Sequence, residues 1–311
     1  KCRMKLWSQP IRVETPDETV LITSRTIHSA LWFVSNPELD NHICGYLAKY
    51  VQKYQVELFN VSPTGNHIHL LARFPHCNRA AFMRDFNARV AEGVRRFVPN
   101  FLGGPLFERR YTVNILPLDT DIEDRFFYCA LQSPQDGLSE RIGDYPGYNG
   151  TFDAIRDRAR KYTIINWGEY HSRKRFDKTL RPEDFAETYE LRFTKLPTHQ
   201  HLKQQEYEAE LLAKLEKRRI EVVTEKKQQG HVYPTKEALR KVVPGSLPRN
   251  TKRGTMRPIV LCSCLETKRR VQEWYFAVVA AYLAASRAYR AGQLDVVFPS
   301  GTYPPSLPVR P

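Results

Sequence analysis

Two histidines flank one apolar residue in the run Asn66-His67-Ile68-His69-Leu70-Leu71, and a tyrosine and a glutamine stand four residues apart at Tyr128 and Gln132. These residue types suit metal-assisted nucleophilic chemistry. On a strand, residues i and i+2 point to one face, about 6.6 Å apart. His67 and His69 therefore project together while Ile68 turns to the core. Two imidazoles from one strand hold a divalent ion once a third ligand arrives from elsewhere. On a helix, i and i+4 also share a face, so Gln132 would bring a carbonyl oxygen beside the Tyr128 hydroxyl. A phenol with a pKa of ~10 is a weak nucleophile at neutral pH. It needs a Lewis acid on the phosphodiester it attacks. Taken alone, an H-x-H pair on a strand is more often two partly exposed residues, and Tyr128 an ordinary helix aromatic. The spacing of the second pair and its place in the chain shift that balance.

The elements that must position these groups are legible over the first half of the chain. Thr19 to Thr26 is β-branched and apolar, a strand. Asn36-Pro37-Glu38 opens a helix, with Asn36 as N-cap and Pro37 in the first helical position. Leu39, Ile43, Leu47, Val51 and Tyr54 then form one apolar face. Val56 to Val61 and Asn66 to Phe74 read as strands around a turn at Ser62-Pro63-Thr64-Gly65. A second helix runs from about Arg79 to Val98, and Arg109 to Leu116 reads as a fourth strand. Acids at Asp121 to Asp124 mark the start of a third helix, where the helix dipole favours them. The order β-α-β-β-α-β predicts an α+β fold, a ferredoxin-like split βαβ core with an antiparallel sheet.

The remainder is less regular. Residues 151–200 read as connecting helices and loops, Leu202 to Gln229 as a long exposed helix, and Glu266 to Arg290 as a last helix. A terminal strap follows from Phe298. Three parts are expected: a catalytic domain over 1–150, a connecting segment over 151–200, and a basic, mainly helical extension over 201–311.

Charge divides the chain unequally. Residues 1–194 carry 27 Lys and Arg against 24 Asp and Glu, a net +3, whereas residues 195–311 carry 21 against 10, a net +11. A basic C-terminal third is what a phosphate-facing surface requires. No run approaches the roughly 18 uninterrupted apolar residues of a membrane span, and no basic amphipathic face carries a lipid-binding side, which points to nucleic acid and away from a membrane. The six cysteines are scattered, and only Cys262-Ser263-Cys264 is close-spaced. That fits reduced intracellular thiols better than a disulfide framework.

From about Thr19 to Tyr148 the chain resembles single-tyrosine (HUH-type) transposases of the IS200/IS605 class, above all the REP-associated tyrosine transposases. Thr19–Thr26 (TVLITSRT) resembles the opening strand, and GNHIHLL resembles the N-H-x-H-L-L signature, with Gly65 where Pro is common. FYCALQSPQDGL resembles the tyrosine helix, with Gln132 at a common Asn position and Ser133 at a Pro. Asp144-Tyr145-Pro146 resembles the aromatic-Pro segment after it. The resemblance implies an HUH endonuclease core in which Tyr128 attacks single-stranded DNA to leave a 5′-phosphotyrosine and a free 3′-OH. It implies Mg²⁺ or Mn²⁺ held by His67, His69 and Gln132. It also implies a hairpin DNA partner with a palindromic, REP-like element, and a cytoplasmic, nucleoid-associated bacterial setting, as monomer or homodimer.

Arg73, Arg109 and Arg110 flank the inferred site and are candidates for phosphate contact, equally read as solvated strand edges. Arg249, Lys252, Arg253 and Arg257 lie in a basic loop suited to backbone contacts. Two other readings stand beside the transposase. One is a domesticated nucleic-acid-binding protein that binds without cutting. The other is a replication-initiator or relaxase-type HUH nuclease, which the absence of a third histidine in register disfavours.

Overall fold

The β-branched run Thr19–Arg25 forms strand β1, buried on both sides except at its end. The chain then turns through His28 and Ser29, both in the left-handed region, into helix α1 (Pro37–Tyr54). Asn36 caps that helix, its side chain accepting a hydrogen bond from the Leu39 N–H at 3.0 Å. Strands β2 (Glu57–Thr64) and β3 (His67–Arg73) follow, then helix α2 (Arg79–Phe97) and strand β4 (Thr112–Leu116). The computed structural model from which these elements are taken describes residues 11–248 and 258–306.

The four strands make one antiparallel sheet in the order β2-β3-β1-β4. Side chains alternate across it. Val20, Ile22, Ile68, Leu70 and Ala72 face α1 and α2 in the larger core. Leu21 and Leu71 face the other way, into a second core with Phe126, Phe127 and Leu131. That second core belongs to helix α3 (Asp119–Ala130), which covers the sheet face carrying His67 and His69. A short turn of helix, α4 (Gln132–Gln135), continues from α3 after a break at Leu131. Helix α5 (Thr151–Ile155) closes the same side.

Three expectations from sequence are corrected. The β2–β3 reversal is tighter than Ser62–Gly65: β2 runs on through Thr64, and Gly65 with Asn66 makes the turn. Arg109 and Arg110 precede β4 in a surface bend and do not begin it. Residues 151–200 are more than a connector, because Arg160–Ile165 (β5) and Ala186–Leu191 (β6) pair antiparallel as a separate two-stranded sheet. Ile164 and Leu191 of that hairpin bury in the core under α1. Between the two strands lies helix α6 (Trp167–Lys174).

Helix α7 (Gln204–Gln228) seats Tyr207, Leu211 and Leu215 against the α3 side. A short helix α8 (Lys236–Arg240) and the long α9 (Leu265–Arg290) complete the elements. Both outer edges of the four-stranded sheet are covered by later chain. On β2, the Gly150 N–H donates to Val61 O at 2.9 Å and the Thr194 N–H to Leu58 O at 2.7 Å. On β4, Ile115 exchanges hydrogen bonds with Ile259 and Leu261 at 2.8 and 2.9 Å. Among the described residues no helix is long and apolar enough to cross a membrane.

Candidate active site

His67 and His69 leave β3 on the α3 side of the sheet, because the two-residue strand period puts Ile68 and Leu70 into the opposite core. The tight turn before them is firmly held. Gly65 adopts φ +54°, a left-handed conformation that glycine takes without steric cost. Its N–H donates to the Tyr145 hydroxyl at 3.0 Å, which donates in turn to Phe33 O at 3.2 Å. Asn66 is fixed from both ends: its side-chain N–H donates to Ser29 O at 2.9 Å, and its carbonyl accepts from the Thr26 N–H at 2.9 Å. Left-handed backbone at non-glycine residues His28 and Ser29, beside this anchor, is strain of the kind that collects at functional sites.

The two imidazole centroids lie 4.6 Å apart, and the His69 ring lies 5.4 Å from the Tyr128 ring. Each imidazole has its Nδ1 engaged by a neighbour. Thr23 Oγ1 meets His69 Nδ1 at 2.9 Å, and Asn66 Oδ1 meets His67 Nδ1 at 2.8 Å. Such contacts orient metal-binding imidazoles and fix their tautomer. On its other side, His67 Nε2 faces Gln132 Oε1 at 3.1 Å.

That last contact carries chemical information. The Gln132 amide N–H donates to Tyr128 O at 2.9 Å and to Gln135 Oε1 at 3.3 Å, which directs its oxygen at His67. Asn66 is oriented in the same way by Ser29 O. His67 therefore has an acceptor oxygen at each ring nitrogen, while a neutral imidazole has one N–H to give. A divalent cation shared by Nε2 and Oε1 removes the conflict. Two adjacent ligands of an octahedral ion with bonds of about 2.1 Å lie about 3 Å apart, close to the separation here. The residues present thus fit Mg²⁺ or Mn²⁺, with His67, His69 and Gln132 as donors. Among the described residues no group of three or more His, Cys, Asp or Glu could hold a metal ion.

Tyr128 is half-buried on α3, one turn from Gln132. Burial pushes its phenol above the usual range, while the Gln132 side chain pulls it the other way. The guanidinium of Arg125 lies 5.4 Å from the ring centre. The helix carrying the pair is interrupted, since Leu131 leaves helical geometry (ψ +18°) between α3 and α4. The pair still meets, through the Gln132 amide bonded to Tyr128 O. The C-terminal part clamps α4 from outside. His231 Nε2 bonds Gly137 O at 2.9 Å, and the Tyr233 hydroxyl donates to Pro134 O at 3.1 Å.

The remaining candidates are more dispersed. Arg73 sits at the far end of β3, paired with Glu57 at 3.3 Å and bonded to Thr19 at 3.2 Å. Arg109 and Arg110 are exposed in the bend before β4. Arg249, Lys252, Arg253 and Arg257 lie outside the described residues. Three side chains were not singled out from sequence: Thr23 and Asn66, described above, and Arg25. Arg25 pairs with His67 across β1–β3 and shares its face by alternation from Leu21 and Thr23. It makes no ion pair among the described residues, and its Nε is buried without a hydrogen-bond partner there. The signal for it was the alternation of β1, which gains meaning only with the strand register.

No protein-family model and no curated protein matches the chain. Among solved structures, a REP-associated tyrosine transposase bound to a REP hairpin is similar at 11% identity and TM-score 0.40, over 47% of this chain and 83% of that one. The tRNA(His) guanylyltransferase from Saccharomyces cerevisiae is similar at 10% identity and TM-score 0.32, over 67% and 82%. A bacterial tRNA(His) guanylyltransferase-like protein in complex with ATP is similar at 12% identity and TM-score 0.32, over 64% and 92%. At such distances the likenesses assign neither family nor activity.

Proposed function

We propose that this chain is a metal-dependent single-stranded DNA endonuclease of the single-tyrosine HUH type, which cuts DNA at hairpin-flanked sites. The observation that carries the reading is the meeting of His67, His69 and Gln132 with Tyr128 on one side of the sheet. The strand order β2-β3-β1-β4, all antiparallel, is that of a ferredoxin-like core and supports the same reading. In this view residues 1–150 form the catalytic part and 201–311 the DNA-binding extension, with the β5–β6 hairpin between them.

In the reaction, Tyr128 Oη forms a bond to the scissile phosphorus as the phosphorus–O3′ bond breaks. The phenol gives up its proton to solvent, and the departing 3′ oxygen takes one up. The products are a 5′-phosphotyrosine and a free 3′-OH. Bound Mg²⁺ or Mn²⁺ would supply positive charge to the phosphate, held by His67, His69 and Gln132. Thr23 and Asn66 orient the two imidazoles. Arg25, beside His67, offers a guanidinium whose planar fork suits a phosphate. Because one phosphodiester replaces another, the 3′-OH can attack the phosphotyrosine in reverse and rejoin the strand.

The test is incubation with Mn²⁺ and a panel of single-stranded DNAs carrying imperfect hairpins, including any found beside the gene, followed by a denaturing gel. A covalent protein–DNA adduct is expected from the wild type and none from Tyr128→Phe. DNA binding with no adduct on any of these substrates would favour the non-catalytic alternative.

A further inference from the structure

The excess positive charge of the C-terminal third does not lie on α7, whose six Lys and Arg are matched by six Glu. Lys214 bridges Glu123 and Glu210 at 3.0 and 2.7 Å, and Arg218 bridges Asp124 at 2.7 Å. Arg219 pairs with Glu216 at 2.6 Å and Lys227 with Glu140 at 2.8 Å. These cations fasten α7 to α3 and its neighbours, or pair along the helix itself.

The segment from His171 to Arg181 differs. It carries five Lys or Arg and one acid, a net +4 in eleven residues. Arg175, Lys178 and Arg181 are exposed and make no ion pair among the described residues. Arg173 pairs only with Glu169 on the exposed face of α6, an interaction that contributes little in water. The single acid, Asp177, is occupied locally, accepting from the N–H and hydroxyl of Thr179 at 2.9 and 2.6 Å. Lys174 Nζ donates to Leu180 O at 2.7 Å and folds the segment into one compact loop. At its tip Phe176 is 91% exposed. Cations interleaved with an exposed aromatic ring are the elements of a single-strand platform, phosphates on the one and a base stacked on the other.

The loop also has a defined place. α6 joins the end of α2, where the Arg96 guanidinium lies 3.5 Å from the Trp167 ring centre. The β5–β6 hairpin lies on α1. Both α1 and α2 cover the sheet face opposite His67 and His69. A strand on the loop is therefore remote from the scissile phosphate.

We propose that the Arg173–Arg181 loop binds a single-stranded stretch of the DNA, with Arg175, Lys178 and Arg181 on phosphates and Phe176 against a base. The choice of DNA rests on the endonuclease reading above. The test uses the full chain and a fluorescein-labelled thirty-nucleotide oligo(dT), with anisotropy followed from low to physiological salt. Replacing Arg175, Lys178 and Arg181 together by Gln should lower the slope of log K against log salt by about 2, from roughly 0.7 per phosphate contact. Phe176→Ala should weaken binding about fivefold or more with little change in slope. All four side chains are exposed, and circular dichroism checks that the variants fold. An unchanged slope in the triple variant overturns the proposal and makes the loop a solvated face. Unchanged affinity in Phe176→Ala overturns the stacking contact. The tyrosine adduct is scored separately in the wild type, so its absence alongside a reduced slope would count against the endonuclease and not against the loop.

Discussion

Thr23→Val tests the proposed site through a residue that stands behind His69. The substitution keeps the side chain's shape and removes only the hydroxyl that meets His69 Nδ1 at 2.9 Å, at a position 6% exposed. A hydrogen bond of this kind contributes about 1 kcal/mol net, and leaving a buried polar partner unpaired costs about 1–3 kcal/mol. With packing unchanged, the fold should lose about 1–2 kcal/mol, or roughly 1.5–3 °C in melting temperature for a chain of 311 residues. Loss of an orienting partner typically lowers metal affinity about 10- to 100-fold. The assay is a calorimetric Mn²⁺ titration of wild type, Thr23→Val and Thr23→Ser, with melting temperatures measured on the same samples. Ser restores the hydroxyl and should bind Mn²⁺ nearly as the wild type does. A Thr23→Val protein that melts earlier yet binds Mn²⁺ as tightly as wild type would refute the argument, because Thr23 would then serve only the fold.

Two further predictions concern groups away from His67, His69 and Gln132. Burial raises the Asp40 carboxyl to about 7, the backbone N–H of Tyr148 opposing the shift. Between the ordinary carboxylate range and about 7, the folded chain keeps a proton that the unfolded chain releases, so stability should fall as pH rises through that window. Asp40→Asn should remove this slope and exceed wild type at pH ~8 by about 2–4 kcal/mol, read from urea midpoints on either side of the window. Gly137 has φ +72°, and a Cβ there would lie 2.4 Å from His231 Nε2. Gly137→Ala should therefore break the His231–Gly137 contact and cost about 1–3 kcal/mol, with faster proteolysis around residue 231.

The sequence made the β-α-β-β-α-β core legible because its signals are local. Asn36 and Pro37 start a helix within three residues, and β1 and β3 are runs of apolar and β-branched residues. His67 and His69 are placed on one face by strand period alone. The β5–β6 hairpin was not legible, since only Ile164 and Leu191 of its twelve residues bury fully and the alternation they share with the part-buried Tyr162 and Tyr189 spans only two positions per strand. Leu131 looks like a helix residue, and the break beside it is signalled only by Pro134, which has no N–H for Ala130 O and whose ring crowds that carbonyl. Arg25 needed the β1–β3 register, a long-range pairing that one sequence does not display. The net charge of the C-terminal third misled as to place, because α7 matches its own six Lys and Arg with six Glu and the excess lies elsewhere in that third.

The covered sheet edges mean that the C-terminal third cannot be treated as a removable appendix. Ile259 and Leu261 occupy hydrogen-bonding groups on β4 that would otherwise be open. The same part reaches the beginning of the described chain, where the Tyr275 hydroxyl donates to Ile11 O at 2.7 Å and the Glu14 N–H to Gly301 O at 2.9 Å. Ending the chain before Pro258 would leave β4 as a bare template for another molecule's strand, the usual route from exposed edge to aggregate. A shortened chain would therefore need a new guard for β4, such as a lysine or proline on that edge, before it could stay in solution.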